Sequence, residues 1–298
     1  MRDYSRPWIP MSNTLPRLAA AILLVSAATL AVAPGQLFGR RDKAAIGNDV
    51  RQLVVSVADS WDSTRGYLQC YQRTADGAWR PVFRRQVPVL FGRNGLAWGR
   101  GVITGAGARV KREGDGRAPA GVFRIGRVYG DPAAPPRGSD YPYHQVTRWD
   151  AWVDDPKNPY YNRHLRIDPE KGVPPWFEGQ RMRLGDPAYH WLVEIRHNAD
   201  PPRPGFGSAI FLHTRRGPDR KTAGCTTMAR ADLEAVIRFL RAPARPHYVL
   251  LPRQEYMRHP GALRGKRLQG GLAFILDRRA VRDAHGVIFQ PAHAYAAV

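Results

Sequence analysis

Glycine and proline cut this chain into pieces too short for a helical bundle. With 29 Gly and 26 Pro among 298 residues, most apolar runs end within a few positions, which favours short strands joined by turns. LVVSVA, GYLQCYQR, WRPVFRRQVPVLF and GVI, between about residues 53 and 110, read as such strands, separated by Gly, Asp-Gly and Asn-Gly turn signals. One stretch departs from that pattern. In MARADLEAVIRFLR, residues 228 to 241, Leu233, Val236, Ile237 and Leu240 recur at the 3.6-residue period. Acidic residues lead, arginines trail and Pro243 stops the run. The expected fold is mostly β with one short helix. GDPAAPPRGSDYPY, residues 130 to 143, is expected to be a surface or substrate-facing loop.

The N-terminal segment speaks to compartment. Arg2, Arg6 and Arg17 precede LAAAILLVSAATLAVA, residues 18 to 33, an apolar run that ends in small side chains before Pro34. This is the layout of a signal peptide, and the run is short of the ~20 residues of a membrane-spanning helix. Residues 1 to 34 are therefore expected to be a signal peptide cleaved after Ala31, or an N-terminal anchor, with the body exported to the periplasm or cell envelope. Residues 35 to 52 read as a polar linker, 53 to 252 as the main domain, and 253 to 298 as a basic extension in which AFIL and GVIF can pair as a hairpin. The formal net charge is +21, with 40 Arg against six Lys, and so large an excess attracts polyanions. The basic residues are spread from end to end rather than gathered on one helix or interleaved with stacking aromatics, which argues against nucleic acid. An anionic envelope polymer or membrane surface fits the charge.

The chemistry centres on FLHTRRGPDRKTAGCTTM, residues 211 to 228. SAIFLHT, residues 208 to 214, reads as a buried strand ending in His213, and the loop RRGPDRKTAG is long enough to fold back and bring Cys225 to it. A cysteine just ahead of a helix would feel the positive N-terminal end, which lowers a thiol pKa. An imidazole beside it would take the thiol proton, making a Cys-His nucleophile pair. The other thiol, Cys70, sits in the alternating GYLQCYQR and reads as a half-buried strand residue; in an oxidising compartment a Cys70 to Cys225 disulfide is the alternative. The nine His and two Cys show no C-x-x-C or H-E-x-x-H spacing, so no metal and no other cofactor is expected.

FLHTRRGPDRKTAGCTTM resembles the His...[Ser/Thr]-x-Gly-Cys signature of the L,D-transpeptidase catalytic domain, the YkuD or ErfK/YbiS/YcfS/YnhG family. GDGRAPAGVFRI, residues 114 to 125, is similar to that family's Thr-Pro-x-Gly-x-Phe segment, and FGRNGLAWGRG, DDPKNPYYNRHL and VEIRHN extend the likeness from about residue 50 to about 252. The resemblance implies a two-sheet β-sandwich or barrel, and acyl transfer between peptidoglycan stem peptides. Cys225 would attack the carbonyl of a diaminopimelate-to-D-alanine bond, His213 would serve as general base, and the backbone N–H groups of Gly224 and Cys225 would hold the oxyanion. Thr222 or a backbone carbonyl would orient His213. Two positions depart from the family pattern: Ala223 stands where many members carry a second histidine, and Thr227 where an arginine is expected. Substrate carboxylates would then be met elsewhere, with Arg215, Arg216 and Arg220 on the intervening loop as candidates, while His197 is a candidate to approach the site and Tyr160, Tyr161 and Arg163 to line the donor groove. The same site with water as acceptor would make the protein an L,D-carboxypeptidase or an amide hydrolase, and an idle site would leave a wall-binding protein.

Overall fold

The computed structural model describes residues 46–258, except residue 106. Among these residues thirteen strands run in chain order: β1 Gln52–Ala58, β2 Arg65–Arg73, β3 Trp79–Pro81, β4 Val87–Leu90, β5 Leu96–Trp98, β6 Ala118–Gly130, β7 Tyr143–Gln145, β8 Asp150–Val153, β9 Arg163–Arg166, β10 Leu192–Ile195, β11 Phe211–Thr214, β12 Thr226–Met228 and β13 His247–Pro252. The α-helices are α1 Phe177–Gln180, α2 Arg230–Phe239 and α3 Arg253–Arg258. The segments 1–34 and most of 35–52 lie outside the described residues, as does the extension beyond residue 258. Among the described residues no helix is long and apolar enough to cross a membrane.

The architecture is mostly β, as expected, and of the two expected forms, sandwich or barrel, the large sheet takes the barrel. Its strands pair in the order β1-β13-β6-β10-β11-β12-β4-β2, and β2 pairs again with β1 from Gln52↔Gln72 to Ala58↔Gly66, so the ring closes as a barrel. Closure is what removes the sheet edges that a sandwich would leave exposed. Glycine permits it at one tight point: a Cβ on Gly66 would stand 2.2 Å from the Val57 carbonyl oxygen across the β1–β2 seam. β1 is buried along all of QLVVSVA and shows no alternation, because it lies between β2 and β13 with α3 against it. The interior holds Leu53, Val55, Leu68, Phe91, Phe123, Val193, Leu212 and Met228, all nearly or wholly buried.

Helix α2 follows β12, with Leu233, Val236 and Ile237 as its buried face. The Pro-rich loop after β6 straps this helix rather than facing a groove: Ser139 Oγ donates to the Ile237 carbonyl at 3.4 Å, and Arg241 pairs with Asp140 at 3.4 Å. Strands β8 and β9 form a separate antiparallel hairpin, with Trp152 opposite His164. Between hairpin and barrel wall lies a second small core of Tyr129, Val146, Met182, Leu192 and Phe211, against which Trp152, Tyr189, Ala209 and Cys225 pack.

Candidate active site

Strand β11 enters the barrel wall between β10 and β12 and carries His213 at its third position. β12 runs parallel to it, with Leu212 opposite Thr226 and His213 opposite Thr227. Cys225 stands one step before that register, alongside Phe211, so Cys225 and His213 are diagonal neighbours on one face of two adjacent strands. His213 is 7% exposed. Its Nδ1 lies 2.9 Å from the Thr214 carbonyl oxygen. A carbonyl only accepts, so Nδ1 carries the proton and Nε2 is left bare as an acceptor. The orienting group is thus the Thr214 backbone, not the Thr222 side chain.

Cys225 is half-buried, and its thiol is a free one, as is that of wholly buried Cys70, so no disulfide joins them. The Cys225 S–H donates to the Ala209 carbonyl at 3.4 Å, and the Phe211 N–H donates to Sγ at 3.4 Å. Burial pushes the Cys225 thiol up to about 11, against the opposing pull of the Phe211 N–H and the charges of Lys111 and Arg216. Burial likewise pushes His213 down to about 4, with the charge of Arg216 acting the same way. The resting pair is therefore neutral thiol and neutral imidazole at pH 7. The helix-dipole expectation of a lowered thiol pKa fails because β12 intervenes: α2 begins only at Arg230, and the thiol is packed in the small second core.

Thr222 has another task. Its Oγ1 donates to the Cys225 carbonyl at 2.6 Å and accepts the Gly224 N–H at 3.1 Å, bracing the turn that presents the cysteine. That bond occupies the Gly224 N–H, one of the two groups expected to hold an oxyanion. Thr227 is 1% exposed, and its hydroxyl has no partner.

The remaining sequence candidates divide sharply. Arg216 is beside the pair but is held by Asp186 in a two-pronged ion pair, Nε to Oδ1 at 2.9 Å and Nη2 to Oδ2 at 2.7 Å. Arg215 is partly exposed, and Arg163 and Arg220 are exposed. Tyr160 is exposed and packs toward Trp176. Tyr161 is buried, its hydroxyl donating to Glu113. His197 is committed within the fold: Nδ1 accepts the Arg100 N–H at 3.1 Å, Nε2 donates to the Phe206 carbonyl at 3.0 Å, and the ring is 1% exposed. Neither nitrogen is left for a substrate.

Other residues near the thiol had no sequence signal. Lys111 is 2% exposed and donates to Asp115 and to the Arg112 carbonyl, both at 2.5 Å, so its charge is fixed beside Gly224 and Cys225. Asn162, at φ 56°, accepts from Trp152 Nε1 at 3.2 Å and from the Ala209 N–H at 3.0 Å, and donates to the His197 and Asn198 carbonyls. It thereby ties the hairpin to Ala209, whose carbonyl accepts the hydrogen bond of the thiol. The one candidate metal-binding cluster among the described residues is His144, Asp150 and His164.

With this geometry in view, a family model, that of the L,D-transpeptidase catalytic domain YkuD, matches residues 84–249. No curated protein and no solved structure matches the chain.

Proposed function

The chain belongs to the L,D-transpeptidase catalytic domain family, YkuD, whose catalysis acts on peptidoglycan stem peptides, and from that premise we propose that it joins two such peptides through a thioester on Cys225. The observation that carries this reading is the Thr214 carbonyl on His213 Nδ1, which leaves Nε2 as a base for the neighbouring thiol. On substrate binding the S–H turns from the Ala209 carbonyl to Nε2. As the proton moves to His213, sulfur attacks the carbonyl carbon of the diaminopimelate-to-D-alanine bond. The Cys225 N–H is the backbone donor assigned to the oxyanion, since Thr222 takes the Gly224 N–H. The C–N bond then breaks, the imidazolium gives its proton to the departing D-alanine amine, and a thioester remains. An acceptor amine attacks that thioester, His213 takes a proton from it, and the sulfur leaves and is reprotonated.

Burial of the thiol, whose S–H donates to the Ala209 carbonyl, favours an uncharged resting state, so this scheme is general-base catalysis rather than attack by a standing thiolate. The proposed setting is the periplasm or cell envelope. The reading with water as acceptor shares every step to the thioester. Tetrapeptide muropeptides incubated with the full chain and separated by mass spectrometry test the choice. A 3-3 cross-linked dimer is expected; a trimmed tripeptide alone would make the protein a carboxypeptidase, and unchanged substrate would remove the enzymatic reading.

A further inference from the structure

The second small core encloses a group of side chains that the chemistry above does not use. His144 on β7, Asp150 on β8 and His164 on β9 bring three ligand atoms within 4.8 Å of one another. Asp150 is wholly buried. Its Oδ2 accepts from the Thr147 N–H and the Thr147 hydroxyl, each at 2.7 Å. Its Oδ1 faces His144 Nε2 at 2.6 Å and His164 Nε2 at 2.7 Å. Among the described residues no Lys or Arg lies within ion-pair distance of this carboxylate. A buried carboxylate is costly unless both oxygens are partnered; Thr147 serves Oδ2, and the two imidazoles face Oδ1.

We propose that His144, Asp150 and His164 form a binding site for a divalent transition metal of the zinc class. Two imidazole nitrogens and one carboxylate oxygen are a three-ligand zinc set, leaving a fourth position for water. Three donors, two of them nitrogen, are too few and too soft for calcium or magnesium. Zinc bonds of about 2.1 Å hold tetrahedral ligands about 3.4 Å apart, so seating the ion asks each imidazole nitrogen to move out from Oδ1 by less than about 1 Å, and the two nitrogens, within 4.8 Å of each other, to settle at about 3.4 Å. Thr147 supplies the outer support that fixes a ligating carboxylate. Tyr129 packs against both imidazoles, at 5.7 and 4.9 Å between ring centres, and sets their planes. The His144 and His164 side chains keep 21% and 16% exposure, which leaves an entry path. An ion here would pin the β8–β9 hairpin to β7. That hairpin carries Trp152, which stands edge-on to Phe211 at 4.7 Å, and the Phe211 N–H meets Cys225 Sγ.

The test reads metal, not turnover, and so stands apart from the catalytic reading. The full chain, stripped with a chelator, is titrated with Zn2+ alone. The expected result is one tight equivalent per chain, at least 100-fold weaker in His144→Ala and His164→Ala. In Thr147→Val, which keeps all three ligands, binding is expected to weaken by about 10- to 100-fold. Should a histidine variant fail to fold, X-ray absorption of the zinc-loaded wild type is expected to show two imidazole ligands, and the Thr147 variant still reports the location. Absence of tight binding by the wild type, or binding indifferent to His144, His164 and Thr147, would overturn the proposal.

Discussion

At the scale of single residues, protonation decides how this site works. His213 held down to about 4 and Cys225 pushed up to about 11 make the neutral pair the resting form across the middle of the pH range, and in the proposed mechanism it is that form which reacts. Acylation by a substrate or a carbapenem is therefore predicted to be level around pH 7 and to fall about tenfold per unit once pH drops below about 4, where His213 takes a proton and ceases to be a base. A rate that titrates near 6.5 would point to an imidazole in an ordinary environment. The Thr222 hydroxyl makes two hydrogen bonds, each contributing about 1 kcal/mol. Thr222→Val is predicted to lower stability by about 1–2 kcal/mol in denaturant titration and to slow acylation about tenfold, while Thr222→Ser restores both. His213 and Cys225 are legible in sequence because FLHTRRGPDRKTAGCTTM carries both in the order and spacing of the family signature. The Thr214 carbonyl, the Phe211 N–H and the Ala209 carbonyl are not, because every residue carries the same backbone groups. His144, Asp150 and His164 escape a motif search because three separate strands bring them together.

Elements show a similar division. The α2 helix is legible from its apolar period, since burial of one stripe imposes that spacing on any amphipathic helix. β1 and β2 are legible as strands and pair as neighbours in the chain, whereas the pairing of β1 with β13, Leu53 opposite His247, is a long-range event that no local pattern encodes. Gly66 marks the β1–β2 seam. Gly66→Ala would drive a methyl group into the Val57 carbonyl and the Phe91 ring, and the predicted cost is about 1–3 kcal/mol or more, read as a lowered denaturant midpoint. A substitution tolerated with no loss would mean that the β1–β2 seam is looser than described. The Pro-rich loop illustrates the limit of composition: its prolines place it outside regular structure, while its contacts with α2 depend on Ser139 and Asp140 meeting residues about 100 positions away.

For the molecule as a whole, buried neutral histidines set the acid limit of stability. His197 is pushed down to about 3 and His213 to about 4, in both cases chiefly by burial, from an ordinary value of 6.5. Between pH 6.5 and those values the unfolded chain binds protons that the folded chain refuses, so stability is full above about 6.5 and declines as pH falls toward 3. At about 1.4 kcal/mol per unit the combined loss is on the order of several kcal/mol, and urea midpoints measured from pH 7 to pH 4 should fall steadily; a flat profile would place these rings in water. Every step of the account passes through sulfur on one residue and a bare nitrogen on another. Intact-protein mass spectrometry after incubation with a tetrapeptide donor reads that directly. An acyl adduct on Cys225 is predicted in the wild type, none in Cys225→Ala, and formation at least about 100-fold slower in His213→Ala; an adduct on the Cys225→Ala protein, or an undiminished rate without His213, would contradict it.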